Sequence, residues 1–215
     1  MESGSSFNQY IKNAIIQNWD SDALTDYEGA TLQFHDVARK IEKLHILFEN
    51  CDIQKGDKIA ICGRNSAHWA VAFLATLTYG AIAVPILHEF NAEQIHNIVN
   101  HSGARLLFVG DFVVKEIAPD EMPKLEGIVN LPDFSLMISR SEKLSYAREH
   151  LNMMFGSKYP MAFRKEHVNY HEDQTEELAL INYTSGTTGF SKGVMLPYRA
   201  LWGNLNFCLK RLGND

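Results

Sequence analysis

The chain alternates short apolar runs with longer segments in which apolar residues recur every three or four positions. Short runs are typical of buried strands, and the longer spacing is typical of helices that pack one face. Between residues 34 and 50, the helical stripe consists of Val37, Ile41, Leu44 and Phe48. Predicted strands and helices then alternate as strand 58–62, helix 67–79, strand 81–87, helix 92–102 and strand 105–110.

Polar residues and glycines mark the ends of these segments. Residues 63–66 form a predicted turn that offers helix N-cap candidates, and Gly80 follows the alanine-rich helix where a glycine stop is common. Asn91 with Gln94 three residues later resembles a capping box. Strands and helices alternating at this spacing predict an α/β fold: parallel-sheet βαβ units with right-handed crossovers and flanking helices.

The pattern is weaker after residue 110. It predicts a short helix at 113–117, a strand at 127–131 and a helix marked by Leu144 and Met154. Residues 156–177 are polar, and we interpret them as a long surface connection whose acidic residues 172, 173, 176 and 177 form a solvated run. Strands at 178–183 and 194–196 follow, then a helix that Pro197 begins and Gly213 ends.

The composition of the chain argues against several classes of function. The formal charge of −6 argues against nucleic acid as a general partner. The three cysteines have no metal-like spacing, and we expect reduced, buried thiols rather than disulfides. The N-terminus lacks the apolar region of a secretory signal, and no apolar run is long enough to span a bilayer. We therefore expect a cytoplasmic protein.

The candidate chemistry lies in residues 183–194, YTSGTTGFSKGV. Glycines let a backbone approach an anion closely, and successive N–H groups in a turn can form an anion site. Threonine and serine hydroxyls add donors, and a lysine adds positive charge. The segment predicts a polyphosphate site between two strands. Its candidate ligands are Thr184, Ser185, Gly186, Thr187, Thr188, Gly189 and Lys192.

Other interpretations fit less well. A Walker A loop beginning at Gly186 would need glycine at 191 and Ser or Thr at 193, and the chain has Ser191 and Gly193. A Gly/Thr-rich turn with a solvated lysine remains as the plain structural alternative. The histidine pairs 96/101 and 167/171 lack the further ligands that zinc needs, and we expect solvated or locally bonded histidines and no metal site. No G-x-S-x-G elbow surrounds Ser185.

The segment resembles the phosphate-binding signature of the adenylate-forming (AMP-binding) enzymes, T-S-G-T-T-G-x-P-K-G-V. It differs where Ser191 replaces the usual proline and where Tyr198 replaces a histidine that many relatives carry. Softer similarity covers about residues 30–110 and 178–205. It includes the runs Val84-Pro85-Ile86 and Ser102-Gly103-Ala104-Arg105, which look most like the long-chain fatty acyl-CoA synthetase branch.

The resemblance implies the N-terminal portion of the large domain of such an enzyme. It divides the chain into an α/β core subdomain at 30–177 and a phosphate-loop segment at 178–215. ATP, Mg²⁺, coenzyme A and a fatty acid would be the substrates or cofactors of the full-length enzyme. We expect no catalytic residue within this chain, no activity from it alone and self-association through bare apolar surface. An enzyme that adenylates another carboxylic acid, or a non-catalytic nucleotide-binding module, remains the alternative.

Overall fold

A computed structural model describes residues 6–184 and 192–212. In that part of the chain, the helices are α1 (Phe7–Gln17), α2 (Phe34–Asn50), α3 (Ala67–Tyr79), α4 (Ala92–Ser102), α5 (Asp111–Val114), α6 (Glu142–Glu149), α7 (Leu151–Lys158) and α8 (Tyr198–Leu212). The strands are β1 (Asp22–Thr25), β2 (Thr31–Gln33), β3 (Lys58–Cys62), β4 (Ile82–Ile86), β5 (Leu106–Val109), β6 (Gly127–Asn130), β7 (Leu136–Ser139), β8 (Leu178–Thr184) and β9 (Lys192–Pro197). Two 3₁₀ turns cover Pro119–Glu121 and Lys165–His167.

One sheet of seven strands has the order β7-β6-β5-β3-β4-β8-β9, and β1 and β2 form a separate antiparallel pair. Strands β6, β5, β3, β4 and β8 run parallel, whereas β7 and β9 pair antiparallel at the two edges. The α/β fold with a parallel sheet is therefore confirmed. All carboxyl ends of the parallel strands meet at one edge of the sheet, where open α/β sheets bind ligands.

Alternation along each strand divides the core into two layers. Ile59 and Ile61 of β3 face the layer that contains α2 and α3, whereas Ala60 and Cys62 face the layer that contains α4. Successive strand side chains point to opposite faces, so a strand with helices on both faces is apolar throughout. This explains why the central strands appear in the sequence as continuous apolar runs.

The predicted caps set the helix ends. Ser66 accepts a hydrogen bond from Trp69 N at the start of α3, and Gly80 ends it with φ 88°. Asn91 and Gln94 form the capping box of α4. These local bonds satisfy backbone groups that a helix end leaves free, so side chains visible in the sequence fix the boundaries.

Several predicted element boundaries differ from those in the structure. Helix α5 begins at Asp111, two residues before the predicted start, and the helix predicted around Leu144 and Met154 is two consecutive helices, α6 and α7. Pro197 is the last residue of β9, not the first of a helix. Gly213, the predicted helix stop, lies outside the described residues. The sequence analysis missed β7, a four-residue edge strand with little buried surface.

The prediction of a surface connection at 156–177 is wrong. Phe163, Val168 and Tyr170 are buried in the layer formed by α2 and α3. Asp173, which we placed in a solvated acidic run, is only 9% exposed. Its partners are backbone amides at the start of α1, more than 160 residues away in sequence. Local sequence carries no sign of such a distant contact, so the segment appeared merely polar.

Candidate functional site

The two ends of the signature segment meet in one hairpin. Strands β8 and β9 pair antiparallel, and Thr184 lies opposite Lys192 at the last rung. Both residues are exposed. Strand β8 runs parallel to β4, so Thr184 lies at the carboxyl edge of the sheet. Ser185, Gly186, Thr187, Thr188 and Gly189, the other predicted ligands, lie outside the described residues. The described structure thus places a hydroxyl and an ammonium group side by side where the predicted phosphate loop begins and ends.

The next rung of the hairpin is tightly packed. Gly193 pairs with Tyr183, and a Cβ at position 193 would lie 3.1 Å from Cζ of Tyr183 and 2.9 Å from Cγ2 of Ile181. Here the glycine makes room for side chains of β8. Tyr183 is 4% exposed, and its burial raises the pKa of the phenol. Its hydroxyl lies 2.7 Å from Nδ1 of His101 on α4.

The other end of the hairpin, which we call its base, is held by buried polar bonds. Tyr198 follows β9 directly, is 1% exposed, and donates its hydroxyl hydrogen to the carbonyl of Leu77 over 2.7 Å. Its backbone N–H donates to the carbonyl of Glu177 over 2.9 Å. Burial raises the pKa of the Tyr198 phenol. The residue that replaces the family's usual histidine therefore binds the hairpin to the C-terminal turn of α3.

Helix α1 completes the base. Asn8 is fully buried and donates through Nδ2 to the carbonyls of Leu77 and His171, over 3.0 and 3.1 Å. The carboxylate of Asp173 accepts from the backbone N–H groups of Phe7 and Asn8. A carboxylate on free amides at a helix N-terminus is a favourable cap. Sequence reasoning assigned no role to Asn8 because its partners are far away in the chain.

A cavity of about 350 Å³ opens at the same edge of the sheet, beyond the ends of β3 and β5. Gly63 and Gly110 line the cavity, and their backbones approach closely, since a Cβ on Gly63 would lie 3.4 Å from Gly110 N. Arg64 lies over the ring of Phe112, 4.4 Å from its centroid, in a cation–π contact. Sequence analysis interpreted 63–66 only as a turn and missed this cavity.

Of the histidines in the two predicted pairs, His167 and His171 bond to neighbours in sequence, whereas His96 and His101 bond to distant residues. His96 accepts from Ala118 N, His101 contacts Tyr183, and His171 lies 2.7 Å from a carboxylate oxygen of Glu177. Nδ1 of His167 accepts from Arg164 N. Over residues 6–184 and 192–212, no three His, Cys, Asp or Glu side chains converge as a metal site would require.

Two cysteines are as predicted and one is not. Cys51 and Cys62 are free and buried, and burial raises their pKa values to about 11 and about 12. Such thiols are poor nucleophiles at neutral pH. Cys208 on α8 is free but exposed, because its helix face lies at the outside of the described structure.

In the part of the chain that the structure describes, no helix combines the length and the apolar character that a bilayer requires.

Comparisons with known proteins agree with this geometry. The model of the AMP-binding enzyme family matches residues 12–214. Long chain acyl-CoA synthetase 3 of Arabidopsis thaliana is 26% identical over 171 residues, covering 78% of this chain and 25% of that protein. Surfactin synthase subunit 2 of Bacillus subtilis (strain 168) is 28% identical over 204 residues, covering 93% of this chain and 5% of that protein.

The fold has solved counterparts. The anthranilate CoA ligase AuaEII, solved in complex with anthranoyl-AMP, superposes with a TM-score of 0.72 and 18% identity, over 93% of this chain and 36% of that one. This chain thus spans about a quarter of the acyl-CoA synthetase and about a third of the solved ligase. Because the family model matches nearly the whole length of this chain, the chain belongs to the AMP-binding enzyme family.

Proposed function

We propose that this chain carries the phosphate-binding part of an ATP-dependent, AMP-forming ligase for long-chain fatty acids. In the reaction we propose for the whole protein, a fatty carboxylate attacks the α-phosphate of ATP, and acyl-adenylate forms as pyrophosphate leaves. The thiol of coenzyme A then attacks the acyl carbon, and AMP leaves. This chain's task is to hold the β- and γ-phosphates.

One observation carries the proposal. Thr184 and Lys192 pair at the open end of a hairpin, at the edge of the sheet where the carboxyl ends of the parallel strands meet. The ammonium group offsets phosphate charge, and the hydroxyl offers a hydrogen bond. The backbones of both residues are held by strand pairing, and the flexible lysine stem lets the ammonium group reach the charge that develops on the leaving pyrophosphate.

Mg²⁺ fits this arrangement as an ion carried by the nucleotide. Magnesium is usually held by substrate phosphates with one or two protein oxygens. Thr184 would offer one hydroxyl oxygen at the loop end of the hairpin. Bound there, Mg²⁺ would share the phosphate charge with Lys192.

A second candidate is the adenylation of another carboxylic acid. It is favoured by the match to surfactin synthase subunit 2, which covers more of this chain at slightly higher identity than the match to the acyl-CoA synthetase. The fatty acid proposal rests on the runs around Val84 and Gly103 and on the match to the acyl-CoA synthetase.

The deciding experiment is ATP–pyrophosphate exchange by the protein expressed from its complete reading frame. Parallel reactions contain long-chain fatty acids, amino acids or aryl acids, and exchange requires the acid that the enzyme adenylates. We expect exchange with fatty acids. Exchange with amino acids or aryl acids, but not with fatty acids, would support the second candidate function instead. Absence of exchange with every acid would favour a non-catalytic nucleotide-binding module.

For the 215-residue chain alone, we propose no thioester formation and weak nucleotide binding. It supplies contacts to the phosphates, while most binding energy for ATP would come from groups that contact adenine and ribose. A millimolar dissociation constant corresponds to about −4 kcal/mol. Calorimetry with ATP and an assay with coenzyme A, Mg²⁺ and fatty acids test this. Thioester formation, or micromolar binding, would show that the chain contains more of the site.

We also propose that the chain alone self-associates. Val194 and Met195 on edge strand β9, and Phe207 and Leu209 on α8, are between 40% and 69% exposed. An open edge strand with apolar side chains is prone to pairing. Sedimentation velocity at several concentrations tests this, and a constant monomer would contradict it.

A further inference from the structure

We propose that Tyr183 and His101 are positioning residues for the phosphate loop, a role that rests on the proposed function. Their contact joins the loop end of the hairpin to α4. It would fix the direction in which Thr184 and Lys192 leave the sheet.

Side chains hold the loop end of the hairpin to the body of the sheet. Between β4 and β8 the registered pair is Ala83 with Leu180, near the start of β8. Pro85, further along β4, has no N–H to donate. In the described residues, β8 pairs on its other side with β9. Beyond Leu180, the buried side chains of Ile181 and Tyr183 pack in the layer that contains α4.

The Tyr183 side chain contacts two neighbouring elements, β9 and α4. Towards β9, its ring lies against the bare Cα of Gly193, so the two strands fit in one register. Towards α4, its hydroxyl lies 2.7 Å from Nδ1 of His101, and the two rings stand at 89° with centroids 5.8 Å apart. One residue further along each strand are Thr184 and Lys192.

His101 is itself well placed for this task. It lies in the last turn of α4, which a capping box begins and Gly103 ends in the left-handed conformation. Ile95, Ile98 and Val99 of the same helix are buried against the sheet. A helix fixed at both ends and along one face gives the tyrosine a rigid partner.

The test is titration of the 215-residue chain with inorganic pyrophosphate at constant ionic strength, followed by calorimetry or NMR. We expect His101→Ala and Tyr183→Phe each to weaken the affinity by about threefold to tenfold, the range for one net hydrogen bond. The double variant should lose no more than either single variant, because both remove the same contact. Gly193→Ala, which forces the tyrosine ring aside, should weaken affinity at least as much.

Three controls separate positioning from general damage. His96→Ala removes another histidine of α4 and should leave the affinity unchanged. His101→Gln retains a side chain that can bond the tyrosine hydroxyl and should restore most of the affinity. All affinities are compared at a temperature at which every variant remains folded, so that lost stability cannot pass for lost affinity. Under that condition a purely structural role would leave the affinity of His101→Ala unchanged.

The outcomes distinguish this proposal from the proposed function. If the unaltered chain binds pyrophosphate and Lys192→Ala does not, but His101→Ala and Tyr183→Phe bind as the unaltered chain does, the positioning role is overturned and the loop assignment stands. If the unaltered chain does not bind, or binds as well with Lys192→Ala, the loop assignment is overturned and the positioning role with it.

Discussion

The two ends of the β8–β9 hairpin are built differently. At the base, Tyr198 and Asn8 are almost completely buried and bond to backbone carbonyls of α3 and of the segment before β8. At the loop end, Thr184 and Lys192 are exposed. Buried polar bonds specify a structure, whereas exposed hydroxyl and ammonium groups remain available to a ligand. The base of the hairpin thus contributes stability and the loop end is available for binding, although the two ends are only about six residues apart along each strand.

The largest expected effect is at the loop end. Lys192→Ala should lower ATP–pyrophosphate exchange by the full reading-frame protein about 100-fold or more, as removal of one group that stabilises developing charge commonly does. Its free energy of unfolding should change by less than about 0.5 kcal/mol, because the side chain is exposed. Lys124→Ala, another exposed lysine, is the matched control. If Lys192→Ala lost both exchange activity and much of its stability, the role of Lys192 would be structural.

The opposite result is expected at the base. Asn8→Ala removes two hydrogen bonds to buried carbonyls and should lower the free energy of unfolding by about 2 kcal/mol. Urea denaturation measures this, with Asn13→Ala on the exposed face of α1 as control. Pyrophosphate affinity at low temperature, where the variant remains folded, should be unchanged. Loss of affinity in the folded variant would show that the two ends are coupled.

Low pH should lower the stability of the protein through a histidine that contacts α3, the helix to which the base of the hairpin is bound. His45 is buried, its Nε2 lies 3.1 Å from the carbonyl of Ala75, and burial lowers its pKa to about 4. Since the unfolded chain has the ordinary histidine pKa near 6.5, it binds the proton first as pH falls. Stability should therefore fall between about pH 6.5 and 4.

The cost from His45 is about 2 kcal/mol between pH 7 and 5. Urea denaturation across this range measures it, and His45→Gln should flatten the profile by that amount. An unchanged slope in the variant would mean that other groups cause the acid sensitivity.

The smallest expected effect concerns residue 191, where relatives usually carry proline. Ser191→Pro restricts the unfolded chain, and such replacements change stability by about 0.4–1 kcal/mol when the native φ is compatible. We expect unchanged pyrophosphate affinity and a change in stability within that range. Thermal melting and calorimetry measure both quantities. A loss well above 1 kcal/mol would show either that the N–H of residue 191 makes a needed bond or that its φ is incompatible with proline.

The sequence predicts most of the fold because the relevant interactions are local. Ser66 and Gly80 bound α3 through bonds within one helical turn, and β3 is apolar from Ile59 to Cys62 because both faces are covered. Both features depend only on residues that are neighbours in the chain. The candidate phosphate ligands likewise lie within twelve consecutive residues, YTSGTTGFSKGV, so the sequence alone is enough to name them.

The missed features depend on contacts distant in sequence. Tyr183 and His101 are 82 residues apart, and the carboxylate of Asp173 meets Asn8 across 165 residues. Neither pair has a spacing or neighbour that would indicate its partner. The division of the chain at residue 177 stays a prediction, and strand β8, which begins just after it, joins the same sheet as the core strands.

The most direct test of the account is an NMR titration of the ¹⁵N-labelled 215-residue chain with inorganic pyrophosphate, with shifts followed at every assigned backbone amide. If the loop end is the phosphate site, the amides of Thr184 and Lys192 should shift first and furthest, and those of Asn8 and Tyr198 at the base should stay constant. Shifts confined to the cavity around Arg64 and Phe112, or no shifts at pyrophosphate concentrations well above millimolar, would contradict it.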